Sequence, residues 1–484
     1  MSKNIDLLNV VYSDVPSVQL PQAGGGTAEF YDVSDTTAAA SDVAAGKYFY
    51  TANGQRTAGT GSGGGTAEVE LKLVNFCDYN AKLLYSYTAE EWASVSTLPA
   101  NPSHDRLTAQ GWNMTKAEID TVLSNYPNRR IWIAQYYKTT STASELDIEL
   151  LSAERLSPYL GIAVNGTVTI DWGDNSATET MTGTSLTTQV RKQHTYAATG
   201  TYTIKIYATS GTYAFYGTSS ISTINNNNTS TLNINAVYSS ALRRVFIGNN
   251  ASVGAYAFYC CRGVEEIMLP NTITSIGNYA FSGTNANAAV VIPSTVQSVG
   301  NYAFYDNANL YTLICLEGVQ TLGNYALQAQ HIGRVYLPTT LTTINTYACQ
   351  GWFLAEEIEI PDSVTSIGTY AFRTARLCQK LYISDSVTSI QTYAFGDFIS
   401  LAEVTIGASC TSIAANAFYN CLGMKAFHFK RTSPPTLSNS NAFSSMPSDC
   451  KIYVPYSADH SILNAYKTAS NWSTFSSRML EDPA

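Results

Sequence analysis

Charge is what this 484-residue sequence has least of. Only 13% of its residues are Asp, Glu, Lys or Arg, against roughly 25% in an ordinary soluble domain. The 27 basic residues form no cluster and are outnumbered by 36 acidic ones, for a net charge of −9. A nucleic-acid partner is therefore excluded, because phosphate binding needs grouped cations to displace counterions. Long hydrophobic runs are missing too. None approaches the roughly 18 apolar residues of a membrane helix, so no insertion into a bilayer is expected. Met1-Ser2-Lys3-Asn4-Ile5-Asp6 does not show the basic-then-apolar layout of a secretory signal. The nine cysteines include no C-x-x-C pair, and the five histidines (104, 194, 331, 428, 460) are scattered. No zinc site is expected, and most cysteines read as small core hydrophobes. G-x-S-x-G, H-E-x-x-H and P-loop motifs are absent, so neither catalysis nor a cofactor is expected. The carboxylate neighbours Glu90-Glu91, Glu265-Glu266 and Glu356-Glu357 read as solvated.

Apolar residues (45%), 33 tyrosines and abundant hydroxyl side chains take up the balance. The length suits about three domains, and composition shifts divide the chain further. Residues 1–58 form an arm too small and too poor in apolar residues for its own core. Within it, 36–44 suits a short helix, and Lys47–Thr57 around Asn53-Gly54 reads as a hairpin, since Asn-Gly supplies positive φ angles. A Gly-rich linker spans 59–66. Residues 67–160 read as a mixed α/β module, with capping boxes at Thr88…Glu91 and Thr115…Glu118 and alternating strands at Val69–Val74, Ile131–Tyr136 and Leu146–Leu150. Residues 161–211 are all-β, running through Trp172-Gly173-Asp174 and His194-Thr195-Tyr196 to Gly200-Thr201-Tyr202.

A repeat dominates beyond residue 240. Tyr-Ala-Phe and its degenerate copies place alanines at 257, 280, 303, 326, 348, 371, 394, 417 and 442, a period of 23 with small deviations. A short strand often closed by proline precedes each copy, as in Val290-Val291-Ile292-Pro293. A second apolar pair follows, as in Val364-Thr365-Ser366-Ile367. Each unit then reads as strand, turn, second extended stretch and one helical turn. Phe258, Phe281 and Phe304 form an internal ladder whose slot passes to Leu327 and Cys349. Cys378 shares a core slot with Val264, Leu310, Ile332 and Leu401. The tyrosines at 256, 279, 302, 325, 347, 370 and 393 read as a structural ladder tied to the turn. Units this small bury their apolar faces only by stacking, so the ends need caps.

The repeat resembles the BspA-type leucine-rich repeat over 212–455, with Tyr213-Ala214-Phe215 as a worn first copy and 456–484 as a helical C-terminal cap. The Trp172 turn and the His194–Tyr202 segment resemble PKD-type immunoglobulin-like domains, which implies a β-sandwich over 161–211. Asp171 and Asp174 read as turn-stabilising hydrogen-bond acceptors and not as a cation site, and no metal is expected. The fold class is thus mainly β: arm, mixed α/β module, PKD-like sandwich and solenoid. In each solenoid strand the middle side chain faces outward. Those residues are Phe246, Met268, Val291, Ile314, Tyr336, Glu359, Tyr382, Thr405, His428 and Tyr453, a ribbon roughly 45 Å long at about 4.8 Å per rung. Such a stripe reads as a ligand-binding surface; strand propensity, or cover by a neighbouring subunit, explains the same pattern.

Residues 31–60 follow a D-x-x-x-G-K-x-x-Y-x-x-x-G-x-x-x-x-G-T pattern and resemble a segment of tail proteins from phages of Gram-positive bacteria. That resemblance implies a virion receptor-binding protein made in the host cytoplasm. Its arm docks to tail or baseplate proteins, its solenoid meets a host glycan or protein, and it forms a homo-oligomer, a trimer by analogy with tail fibres. The BspA-like repeats alone imply a bacterial surface adhesin. A purely structural tail component is the third reading.

Overall fold

The computed structural model describes residues 73–125, 130–217, 220–226, 241–247, 252–284 and 288–482, together with six short strands between residues 5 and 58. Two compact units result, Met1–Leu71 and Lys72–Ala484. In the first, three antiparallel strand pairs follow one another: Ile5–Leu7 with Val10–Tyr12, Ser17–Pro21 with Thr27–Tyr31, and Tyr48–Tyr50 with Arg56–Ala58. The last is the hairpin expected around Asn53-Gly54. The helix expected at 36–44 lies outside the described residues.

The second unit is built on the repeat. Each coil contributes one strand to a wide parallel face and one two-residue strand to a second face. The second face runs unbroken through nine strands from Ser252–Val253 to Thr436–Leu437, in register (Ser275↔Ser298, Ile276↔Val299). The Tyr-Ala-Phe corner is a turn and not the expected helical turn, for a reason visible in its hydrogen bonds. Alternate amides reach forward to the next coil, Tyr302 N–H donating to Asn324 O at 2.9 Å and Phe304 N–H to Ala326 O at 2.8 Å, while Ala303 N–H between them turns back to Gly300 O. Helical dihedrals would turn those donors back along the chain. The tyrosine instead adopts left-handed backbone, φ between +54° and +60° in all seven copies, a conformation rare for a bulky residue. Just before the corner, Gly277, Gly300, Gly323 and Gly368 lie where an added Cβ would come within 2.5–2.8 Å of the preceding coil. At these four positions a side chain would force the preceding coil to shift.

Stacking follows from the register. The seven tyrosine rings lie 4.4–4.9 Å apart and within 12° of parallel. Phe258, Phe281 and Phe304 form a buried second stack at 5.2 and 5.1 Å. Where Leu327 and Cys349 interrupt it, buried Trp352 fills the space. Its indole N–H donates to Leu327 O at 2.9 Å, and its ring meets Phe372 edge-on. Cys378 is buried in the slot it shares with Val264, Leu310, Ile332 and Leu401. None of the nine cysteines is bonded to another. Burial pushes the thiols of Cys315, Cys378, Cys421 and Cys450 up to about 12. The far end is closed by the helix Ser461–Thr468 and the turn Ser473–Arg478. They seat Tyr466, Trp472 and Phe475 over Phe429 and Phe443.

Two boundaries move. Ser144–Leu150 pairs with Gly200–Gly217 (Leu146↔Ile204), so it belongs to the second module and not to the α/β module. Tyr213-Ala214-Phe215 is not a repeat. It lies buried in the 18-residue strand Gly200–Gly217, antiparallel to Tyr159–Asp171 (Val164↔Tyr213), where alternation and not the 23-residue register sets its burial. The two halves of that long strand serve different partners, 144–150 and then 159–171. Ile221–Asn226 extends the same sheet and pairs in parallel with Arg244–Ile247, the first coil strand. The solenoid thus begins against a finished sheet.

In the turn that carries the PKD-type resemblance, Asp171 accepts from Gly173 N–H at 2.9 Å and Asp174 from Ser176 N–H at 3.1 Å. Asp174 also holds His194 at 2.8 Å, whose ring stacks on Trp172. These partners, His194 foremost, lower the Asp174 pKa to about 2. Both carboxylates act as turn acceptors.

Two outcomes are expected. Replacing Tyr325 by Gly should destabilise less than replacing it by Ala, by about 1 kcal/mol, because both lose the ring and only Ala keeps the left-handed penalty. Denaturant midpoints of the two variants check this, and a more stable Ala variant would refute the strain argument. A lowered carboxylate pKa stabilises the fold above the ordinary aspartate value of 3.8 and stops doing so as the pH falls to about 2. Asp174→Asn should therefore be less stable than wild type at neutral pH and converge with it at the acid end. A gap independent of pH would contradict the assignment.

Candidate functional site

The outward ladder is divided by a neighbour within the same chain. Residues 73–139 form a four-stranded sheet in the order Leu83–Tyr87, Val74–Cys77, Ile131–Thr139, Leu107–Trp112. Alternation in Val74–Cys77 and Ile131–Thr139 gives this sheet two apolar faces. One carries Phe76, Ile131 and Ile133 against the helices Ala89–Ala93 and Lys116–Asn125, which bring Trp92 and Ile119. Both helices start in the expected capping boxes: Thr88 pairs reciprocally with Glu91, and Thr115 with Glu118. The other face carries Cys77, Ala134 and Tyr136, and it lies on Val291, Ile314 and Tyr336 of the solenoid. Beside it Tyr79 and Tyr137 pack on Met268 and Phe246.

Five of the ten expected ligand-binding positions are therefore covered by the chain itself. Met268, Val291 and Ile314 retain 1%, 5% and 0% of their exposure, and Phe246 and Tyr336 are half-buried. Their outward direction is as expected; their availability is not. Polar contacts fix the seat. Tyr79 Oη donates to Glu266 Oε1 at 2.6 Å, Tyr136 Oη lies 2.5 Å from Ser294 Oγ, and Arg130 pairs with Glu357 at 3.1 Å. Trp132 lies over the Tyr336 ring at 4.2 Å. Glu266 and Glu357, expected to be solvated, are thus part of this interface. Burial, then the bond to Glu266, raises the Tyr79 pKa well above its ordinary value, and burial raises those of Tyr136 and Tyr336. These phenols stay protonated, and Tyr79 donates to Glu266 while Tyr136 accepts from Ser294 N–H. Behind Tyr79, the buried carboxylate of Asp78 accepts from Tyr137 Oη at 2.9 Å and holds His104 at 2.7 Å. No spacing in the sequence signals this cluster, since its members lie 26 and 59 residues apart.

Beyond Tyr336 the ladder is open. Tyr382 is 54% exposed, Thr405 is exposed, and Glu359, His428 and Tyr453 are half-buried. Register places them on successive rungs (Glu359↔Tyr382↔Thr405↔His428↔Tyr453). The His428 and Tyr453 rings stack at 4.8 Å and 6°, and Asp482 holds His428 Nδ1 at 2.9 Å. Among the described residues no group of three or more His, Cys, Asp or Glu is placed to hold a metal, and no helix is long and apolar enough to cross a membrane.

A parallel solenoid with one open, ring-bearing face defines the class, a leucine-rich-repeat-type β-solenoid. Residues 251–377 and 365–475 match the model of the BspA type leucine-rich repeat region, in six copies. Solved structures similar to the chain include a leucine-rich repeat protein from Bacteroides ovatus (18% identity, 49% of this chain, 74% of that one, TM-score 0.38). A leucine-rich cell surface protein from Faecalibacterium prausnitzii is also similar (18%, 54% and 94%, TM-score 0.27), as is the pneumococcal vaccine antigen PcpA (14%, 51% and 78%, TM-score 0.24). No curated protein matches the chain.

The division of the ladder has a direct check. Ile314→Lys puts a charge under the module and should open that seat, lowering hydrogen-exchange protection across 131–137 while the coils beyond 357 keep theirs. Thr405→Lys, on the open half, should shift stability by no more than about 0.5 kcal/mol. Equal effects at both positions would contradict the asymmetry.

Proposed function

We propose that the chain is a non-catalytic adhesion protein, displayed on a cell or particle surface, which holds its ligand on the open half of the solenoid ladder. The observation that carries this reading is the exposure of Tyr382 and its neighbours on a rigid parallel sheet whose other half is already occupied. A monomer seldom leaves rings standing free on a flat, regular face unless a partner meets them. The BspA-type repeats over 251–475 support the same reading, since bacterial surface adhesion is the usual setting of such repeats. The sheet needs no rearrangement to bind, so little ordering entropy opposes contact.

The virion reading remains as a second one, supported by the pattern in residues 31–60, whose side chains lie outside the described residues. In it the same ladder half meets the host and the first 58 residues dock to tail proteins. Its test is recovery of the chain from purified particles.

For the adhesion reading, fluorescently labelled full-length chain is titrated onto intact Gram-positive bacteria and cultured epithelial cells. Saturable binding to at least one is expected. Tyr382→Ala combined with Tyr453→Ala should weaken it roughly tenfold or more, as loss of central aromatic anchors does. Tyr85→Ala, an exposed ring on the α/β module, should leave it unchanged. Binding that is absent, or equally weakened by both changes, would overturn the proposal.

A further inference from the structure

The open half of the ladder differs from the covered half in chemistry as well as in exposure. The covered residues are Phe246, Met268, Val291, Ile314 and Tyr336; the open ones are Glu359, Tyr382, Thr405, His428 and Tyr453. Four of the first five are purely apolar. All of the second five carry a hydrogen-bonding group. In the open column aromatic rings stand on the rungs of Tyr382, His428 and Tyr453. The His428–Tyr453 pair, parallel to 6° at 4.8 Å, shows that rings on neighbouring rungs stack along the solenoid axis. Thr405 breaks that series. It sits between Tyr382 and His428 in register, so the two ring-bearing rungs are about 9.6 Å apart, twice the strand spacing. The column lacks one ring, and a small hydroxyl side chain forms the floor of the gap.

We infer that this gap is a subsite for one sugar ring of a neutral glycan, lying between Tyr382 and His428 above Thr405. The inference rests on the adhesion reading and names the ligand of that surface. A pyranose ring has apolar faces made of C–H groups and an edge of hydroxyls. The slot offers the matching arrangement: ring-bearing rungs on two sides, the Thr405 hydroxyl at the floor, and the Asp482 carboxylate beside the His428 wall. A planar aromatic side chain from a protein fits between the same walls but strips water from the Thr405 hydroxyl without offering it a hydrogen-bonding edge, which is unfavourable. The charges around the slot also balance. Lys380, Lys425 and Lys451 are exposed cations, and Glu359, Glu403 and Asp482 are anions. Three of each sign give no net field to favour a charged polymer. The strand register continues past the slot to Tyr453 and Leu480, so neighbouring sugar units of the same chain lie along the ladder.

The test uses the full-length chain and calorimetric titration with neutral hexasaccharides of glucose, mannose, galactose and N-acetylglucosamine. At least one should bind. Thr405→Tyr completes the ring stack, so the fold is kept, with an unchanged or raised thermal midpoint, while glycan binding weakens roughly tenfold or more. Tyr382→Ala should weaken it similarly, and Thr405→Ser should keep it. Failure of all four sugars to bind, or binding indifferent to Thr405→Tyr, would overturn the subsite. Treated cells separate this failure from that of the underlying reading. Binding that survives protease treatment and is lost on periodate oxidation supports the glycan. Binding lost to protease and indifferent to periodate overturns the glycan and leaves adhesion standing. Binding to no cell at all overturns both.

Discussion

The solenoid depends on one contact, the hydrogen bond from the left-handed tyrosine of each coil to the carbonyl of the coil above. Tyr256 donates to Asn278, Tyr279 to Asn301, Tyr302 to Asn324, and so on to Tyr370 and Thr392, at 2.9–3.1 Å. A backbone amide left unpaired and shut away from water costs about 1–3 kcal/mol. In the Tyr-Ala-Phe corner the tyrosine holds positive φ, which costs an L-residue roughly 1–2 kcal/mol. The ring stack offsets that strain, because each phenol in this conformation lies directly over the next. Glycine would remove the strain and the stack together. The corner therefore favours a large planar side chain in a conformation that large side chains normally avoid.

The remaining regularities are consequences. An amide that must meet the carbonyl of the next coil fixes the coil length near 23 residues, since a longer coil would shift every later rung. The exceptions are local: the 22-residue step between Ala326 and Ala348 and the 25-residue step between Ala417 and Ala442. A solenoid that satisfies each coil through its neighbour leaves the first and last coils unsatisfied. Here the two ends are closed differently. Ile221–Asn226 offers the first coil strand a partner that belongs to an antiparallel sheet already complete on its other side. At the far end Trp472 donates to Pro435 O at 2.6 Å and Tyr466 to Arg431 O at 2.9 Å, so the cap meets exposed carbonyls as well as exposed rings.

The repeat is legible in the sequence because it is local and redundant: nine alanines at one spacing determine the coils, their core slots and the direction of the ladder. The same redundancy misleads at Tyr213-Ala214-Phe215, where three residues match by composition and antiparallel pairing decides their place. The cover over Phe246–Tyr336 is not legible for a different reason. It joins residues such as Tyr136 and Ser294, 158 positions apart, and no periodicity relates the two surfaces. An apolar outward stripe is all that sequence offers there, and such a stripe is the same whether a partner chain, a ligand or an earlier part of the chain lies on it.

What does distinguish the two halves is the change in polarity along the ladder. Covering Glu359, Thr405 and His428 with a protein face would remove water from a carboxylate, a hydroxyl and an imidazole, a cost that added polar contacts would have to offset. Covering Met268, Val291 and Ile314 needs none, and burial of each apolar side chain is worth about 1.5–3 kcal/mol. A permanent seat is therefore favourable up to Tyr336 and unfavourable beyond it. Arg130 sits at that border, where its pair with Glu357 ties the α/β module to the ladder strands. The extent of the module thus follows from the side chains it meets, and the open half is open because its residues are better solvated than sealed.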